Sequence, residues 1–181
     1  MNASFGLVSE LERLATALDS GKGEDTKISL QSVAERIATN LGVKADEVAI
    51  MSLSTRWKHL RFIVPEALKN VGFIPLSSNS ALAARTARES RPEINNNFAA
   101  ARHATVFEGV KITTEHAGAI QKIISAPILC DGVVVGVIQI SRKGANATSA
   151  GADFSASELG KVLALCKPLG KLMRHVLGSS E

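Results

Sequence analysis

The sequence is poor in aromatic residues and in cysteine. It has no Tyr, one Trp and six Phe among 181 residues, so platforms on which nucleic-acid bases could stack are scarce. Its two cysteines, Cys130 and Cys166, form no Cys-x-x-Cys pair and are too few for a disulfide framework. The net charge is +4, and the basic residues are spread along the chain among acidic ones without a dense run of Lys and Arg. Because a nucleic-acid surface concentrates such charges in a stripe, we expect no nucleic-acid partner.

Long hydrophobic runs are also missing. The longest, residues 133–138, is far too short to cross a bilayer. The N-terminal segment MNASFGLVSELERL lacks the basic and apolar regions of a signal peptide. We therefore expect a cytoplasmic protein with no membrane partner. With 45% apolar and 21% charged residues, the chain has the composition of a globular protein, and its length fits a single domain over residues 1–181.

Apolar periodicity predicts helices at both ends of the chain. Within residues 1–20, leucines 7, 11, 14 and 18 form one helical stripe. A second helix is predicted over residues 29–40, with Gly42 just past its end. The last helix is predicted over residues 155–177, begun by a capping serine, with an apolar stripe from Leu159 to Leu177 and Pro168 in its interior.

Short runs of branched residues predict strands between these helices. They cover residues 47–53, 59–64, 72–76, 93–95, 122–130 and 133–141, and a helix capped by serines 77–80 is predicted over residues 81–90. Asp131-Gly132 is typical of a two-residue hairpin turn, and Pro127 indicates a sheet edge or a bulge. This order predicts an α+β fold: one central antiparallel sheet over residues 30–143 with helices on its faces.

Three segments, residues 72–98, 123–143 and 153–173, resemble the GAF family in their order and spacing. The resemblance implies a GAF-like or PAS-like sheet with helices on both faces and terminal helices that form a bundle and often a dimer. It also implies a ligand pocket on the other face, roofed by loops and short helices. Members of the family serve as sensors of cyclic nucleotides, tetrapyrroles, haem or small metabolites.

The sequence departs from three specialised branches of that family. At the positions of the cyclic-nucleotide signature it has Ser141-Arg142-Lys143, Phe154 and Ser157-Glu158. It has no cysteine before Gln121 to which a tetrapyrrole could attach. Cys130 and Cys166 do not reproduce the cysteine set of the free methionine sulfoxide reductases. The sequence therefore does not identify the ligand or cofactor.

Candidate ligand-binding residues come from the segment that would roof the pocket and from one strand below it. They are Asn95, Asn97, Phe98, Arg102, His103, Phe107 and Ser125. Each has a plainer alternative: asparagines cap loops, phenylalanines fill a core, and Arg102 points to solvent. His103 and His116 match no zinc spacing, so we predict no metal site and no catalytic residue.

The sequence thus predicts a non-enzymatic sensory or regulatory domain that binds a small molecule or a partner protein. The terminal stripes favour a homodimer through a four-helix bundle, with packing of both helices on their own sheet as the alternative. A small thiol-dependent reductase and a ligand-free scaffold acting on an output protein remain the rival functions.

Overall fold

The structure, a computed structural model, describes residues 3–21, 29–100 and 119–177. Its α-helices are α1 (Ala3–Asp19), α2 (Leu30–Leu41), α3 (Leu82–Glu89) and α4 (Ala156–Leu177). Its strands are β1 (Val48–Ser54), β2 (His59–Val64), β3 (Phe73–Pro75), β4 (Glu93–Asn95), β5 (Ala119–Cys130) and β6 (Val133–Gly144). Short 3₁₀ helices span Ala45–Glu47, Glu66–Leu68 and Phe98–Ala100.

Local capping explains why most predicted helix ends lie within a residue or two of the observed ones. The Ser29 hydroxyl accepts a hydrogen bond from the Ser32 amide, and Gly42 ends α2 in the left-handed conformation at φ 68°. Ser155 and Glu158 form a reciprocal capping box at the start of α4. The serines before α3 behave differently from the prediction. Its N-cap is Ala81, and the Ser78 hydroxyl accepts from the amide of Ala81 itself and not from an amide inside the helix.

The strands form one six-stranded sheet in the order β3-β2-β1-β6-β5-β4, and every neighbouring pair is antiparallel. Asp131 and Gly132 both have positive φ, as the predicted turn between β5 and β6 requires. β4 pairs with residues 123–125 of β5, so Pro127 lies beyond its end, where β5 has only β6 as a neighbour. A bulge follows directly, between Ile128 and Leu129.

Strand alternation gives the sheet two different faces. Ile138 and Ile140 of β6 join the core beneath α1, α2 and α4, which we call the bundle face. Val137, directly before Ile138, points to the opposite side and joins the core beneath α3, which we call the α3 face. The predicted α+β fold with helices on both faces is confirmed.

The terminal helices pack against each other on the bundle face. Leu7, Leu11 and Ala15 of α1 are buried there in one core with Leu165 and Leu169 of α4. His175 of α4 lies 2.6 Å from an Asp19 carboxylate oxygen near the end of α1. The chain covers most of both apolar stripes by itself, as in the alternative in which both helices pack on their own sheet. Among the described residues, no helix is long and apolar enough to span a membrane.

Candidate functional site

A chain of neutral polar side chains crosses the α3 face at its centre. Thr86 of α3 lies with its hydroxyl oxygen 2.7 Å from the hydroxyl of Ser125 on β5. The Gln139 amide nitrogen on β6 lies 3.1 Å from the same Ser125 oxygen, and Ser125 and Gln139 are direct partners in the strand register. All three residues are buried. Buried polar groups of this kind are stable only when they bond to one another or to a bound molecule.

The direction of each hydrogen bond in this polar chain follows from the bond that Thr86 makes within α3. Thr86 is 2.9 Å from the Leu82 carbonyl oxygen, which can only accept, so the Thr86 hydroxyl donates to it. Thr86 then accepts from Ser125, and Ser125, having used its one proton, accepts from the Gln139 amide. The amide oxygen of Gln139 is therefore directed away from Ser125. It is buried and has no hydrogen-bond partner among the described residues.

Apolar side chains surround the polar chain. Ala49 of β1 is the register partner of Gln139 on its other side. Ala49, Met51 and Val137 share the core beneath α3, and Leu82, Phe98 and Ile123 form a small cluster beside it. An unpartnered amide oxygen in such surroundings costs on the order of 1–3 kcal/mol. The arrangement is suited to a ligand that donates a hydrogen bond to Gln139.

The structure places four of the seven predicted ligand residues. Ser125 is the middle member of the polar chain, and Phe98 is buried against Leu82 and Ile123, as the core-filling alternative predicts. The Asn95 side chain accepts from the amide of exposed Asn97 at 2.9 Å and so closes a local turn. Arg102, His103 and Phe107, like His116, lie outside the described residues.

Asn96, between the two predicted asparagines, has a structural task. Its amide nitrogen donates to the Phe154 carbonyl at 3.1 Å, and its oxygen accepts from the Phe154 amide at 2.8 Å. This pair of bonds fixes the segment that leads into α4. Asn95 and Asn96 thus both hold backbone, in line with the alternative that asparagines cap loops.

Gln139 and Thr86 are the members of the polar chain that the sequence did not reveal. Gln139 is the one amide side chain within the apolar run of β6, and this is a usable signal. Thr86 is hidden in an alanine-rich helix, and only its contact with Ser125 distinguishes it.

Four residues at the positions of the cyclic-nucleotide signature form contacts within the fold: Arg142, Lys143, Phe154 and Glu158. The Arg142 guanidinium lies 4.2 Å from the centre of the Phe154 ring and 2.8 Å from a Glu158 carboxylate oxygen. Lys143 donates to the Asp46 carbonyl at 3.0 Å. These residues tie β6 to the start of α4 and to the segment before β1.

The two cysteines are both buried. Burial raises the pKa of the Cys166 thiol to about 12, so at neutral pH this thiol is protonated and a poor nucleophile. Both cysteines pack as small apolar side chains. Within the described residues, no three His, Cys, Asp or Glu side chains are grouped to hold a metal ion.

Comparison of the sequence with known proteins finds no matching family model and no matching curated protein. Solved structures do match. The GAF domain of an Acinetobacter phosphoenolpyruvate-protein phosphotransferase superposes with a TM-score of 0.65 at 15% identity, over 100% of this chain and 98% of that one. The GAF domain of a Bacillus halodurans two-component sensor histidine kinase superposes with a TM-score of 0.56 at 16% identity, over 86% of this chain and 100% of that one.

A third similar structure is an enzyme, the free methionine-R-sulfoxide reductase of Neisseria meningitidis in complex with its substrate. It gives a TM-score of 0.61 at 14% identity, over 97% of this chain and 91% of that one. At these identities the comparisons establish the fold alone: this chain has a GAF-type fold. Sensory domains and reductases both use it.

Proposed function

We propose that this protein is a non-enzymatic sensory or regulatory module of GAF type. It takes a small molecule on the α3 face and reports the occupied state through its terminal helices, as a cytoplasmic homodimer acting on an output protein. The observation that carries this proposal is the polar chain from Thr86 to Gln139, which ends in a buried acceptor without a partner among the described residues.

The polar chain favours a ligand with an N–H or O–H group. A ligand that donates to the Gln139 oxygen removes its desolvation cost, and this gain adds to the affinity. Thr86, Ser125 and Gln139 carry no charge, so on this part of the face recognition rests on neutral hydrogen bonds and apolar contact.

The same two strands connect the ligand side of the sheet to the helices. Ser125 and Gln139 face α3, while the adjacent Ile124 and Ile140 belong to the core shared with α4. α4 lies directly on β5, since a Cβ added at Gly170 would fall 2.2 Å from the Leu129 carbonyl oxygen. A ligand that shifts β5 and β6 therefore acts on α4 at once, and its differential affinity selects one arrangement of the terminal helices.

Native mass spectrometry of the protein purified from its own or a comparable cytoplasm tests the proposal. We expect a retained small mass that Gln139→Leu removes. Gln31→Leu, the same change on α2 at the other side of the sheet, is expected to leave it in place. Absence of the mass from the unsubstituted protein, or its retention by Gln139→Leu, would contradict a ligand at this site.

The second candidate is a thiol-dependent reductase, because a reductase of free methionine-R-sulfoxide shares the fold. Its test is turnover of free methionine sulfoxide with a thiol reductant. Turnover that is lost in Cys130→Ser would establish the enzyme, and the high pKa of the Cys166 thiol favours the opposite result. Lack of turnover in the unsubstituted protein leaves the sensory function.

A further inference from the structure

The net positive charge of the chain comes from one segment, which includes the edge strand β3. Residues 48–88, which contain β1, β2, β3 and α3, hold six basic residues and a single acidic one, Glu66. The whole chain has 21 basic and 17 acidic residues, so the remainder has 15 and 16 and is nearly neutral. This one segment therefore accounts for the net charge of the protein.

Two of the six basic residues have partners within the fold. Arg85 forms an ion pair with Glu93 at 2.8 Å, and Arg88 donates to the carbonyl groups of Leu76 and Ser78. Three of the other four, Arg56, Lys58 and Arg61, lie near β3, are exposed and have no carboxylate within ion-pair distance among the described residues. Their charges are thus available to a binding partner.

The same edge exposes the largest apolar side chains on the described surface. Trp57, at the turn between β1 and β2, is 67% exposed, and Phe73 of β3 is 62% exposed. The Phe73 ring stacks on His59 with centroids 4.5 Å apart, and the Arg56 guanidinium lies 5.0 Å from the centre of the Trp57 ring. Phe73 is the register partner of Arg61. These contacts assemble an aromatic–basic patch of Arg56, Trp57, Lys58, His59, Arg61 and Phe73.

We propose that the aromatic–basic patch is a docking surface for an acidic polypeptide segment that also carries apolar side chains. Trp57 and Phe73 supply the apolar contacts, and Arg56, Lys58 and Arg61 attract the carboxylates. Trp and Arg are the residues most enriched among those that dominate protein–protein binding energies. Complementary charge speeds association and selects the partner. His59 and Arg61 flank Leu60, which belongs to the core beneath α3, so they point to the side of the sheet opposite Gln139. The patch therefore does not depend on the proposed ligand site.

Side chains rather than backbone carry the recognition. β3 is an edge strand, but it ends at Pro75, which has no N–H with which to pair an added strand. A nucleic-acid or membrane surface would ordinarily present a longer basic stripe than the three free cations here. A short acidic peptide matches both the number of charges and the size of the patch.

The test uses fluorescence anisotropy with three labelled peptides of equal length. The first repeats Glu-Leu-Asp-Phe, the second replaces its apolar residues by Ser, and the third replaces its acidic residues by Lys. We expect the first to bind at least tenfold more tightly than the others, and to weaken in about 0.5 M salt because screening removes the long-range attraction. Single-stranded DNA and vesicles containing anionic lipid are titrated in parallel.

Two double variants and one single variant complete the test. Arg56→Glu with Arg61→Glu, and separately Trp57→Ala, are expected to weaken binding of the first peptide at least tenfold. Lys167→Glu with Lys171→Glu, the same charge change on exposed positions of α4, is expected to change it less than twofold. Circular dichroism verifies that each variant is folded.

Three results would overturn the proposal. The first is equal weakening by the α4 control, which would mean attraction to net charge alone. The second is equal binding of the first two peptides, which would remove the role of the rings. The third is tighter binding of DNA or vesicles through the same residues, which would assign the patch to a different class of partner.

Discussion

The Ser125 hydroxyl links Thr86 to Gln139, so the polar chain is broken without it. Ser125→Ala leaves the Gln139 amide nitrogen without its acceptor in a buried position. We expect a loss of about 1–3 kcal/mol in the free energy of unfolding, since the desolvated amide is no longer compensated. Urea denaturation measures it. Ser9→Ala, at an exposed position, serves as the control. An equally small effect of both substitutions would mean that the polar chain contributes nothing to stability.

The thiol of Cys166 gives the protein a defined response to alkaline pH. Its pKa in the folded protein is raised to about 12 by burial, against an ordinary value near 9, so the folded state favours the protonated thiol. The stability that this raised pKa gives to the folded state is fully present below about pH 9 and is lost as the pH rises toward 12. We expect the free energy of unfolding to fall in that window by up to about 1.4 kcal/mol per pH unit.

The control for this pH effect is Cys166→Ala, measured by urea denaturation at the same pH values. Its curve is expected to be flatter, because lysine titration is common to both proteins and the chain has no Tyr to ionise. Parallel curves would show that the thiol titrates alike in the folded and unfolded chains.

The contact between α4 and β5 can be tested with two glycines of the same helix. A Cβ at Gly170 would lie 2.2 Å from the Leu129 carbonyl oxygen and 2.9 Å from its carbon, and backbone cannot easily withdraw. Gly170→Ala is therefore expected to push α4 off the sheet and to cost about 1–3 kcal/mol. Thermal or urea unfolding measures the change.

Gly160 lies at an exposed position of the same helix, and a Cβ added there would have nothing within 4 Å. Gly160→Ala is expected to stabilise the protein by about 0.5–1 kcal/mol, because alanine loses less backbone entropy in a helix. A loss of stability in both variants would indicate a general intolerance of α4 and not a specific contact at Gly170.

The elements themselves were largely predictable, and the pairing inside the sheet was not. Counted outward from the Asp131-Gly132 turn, Ser125 would face Ile138. The extra residue at the bulge near Ile128 moves the register by one and brings Gln139 opposite Ser125. Because side chains alternate between the two faces, that single step decides which residue of β6 joins the candidate site.

The quaternary structure is the prediction that concerns the molecule as a whole. α1 and α4 cover most of their stripes within the chain, yet Leu163 on α4 remains 39% exposed and is available for a contact between copies. We expect light scattering to give a dimer and Leu163→Glu to give a monomer, since a buried charge without a partner opposes association.

Val71→Glu, in the turn before the edge strand β3, places the same charge on a comparably exposed residue and is expected to leave the dimer intact. A monomeric unsubstituted protein at micromolar concentration would contradict the dimer. The proposed ligand site and the aromatic–basic patch do not depend on that outcome.

Local chemistry in the sequence determined the type and the ends of most elements. Ser29, Gly42 and Ser155 cap helices, Asp131-Gly132 turns a hairpin, and the order of these signals already indicated the α+β sheet of a GAF-type fold. Ser125 could be selected for the same reason, as a polar residue inside an apolar strand.

Only the tertiary structure decided which distant residues meet. It joined Thr86 and Gln139 to Ser125, covered the α1 stripe with α4, and brought Phe73 onto His59 beside the basic turn. These contacts link residues far apart in the chain. They depend on strand order, register and helix packing, and no local preference of the sequence specifies those.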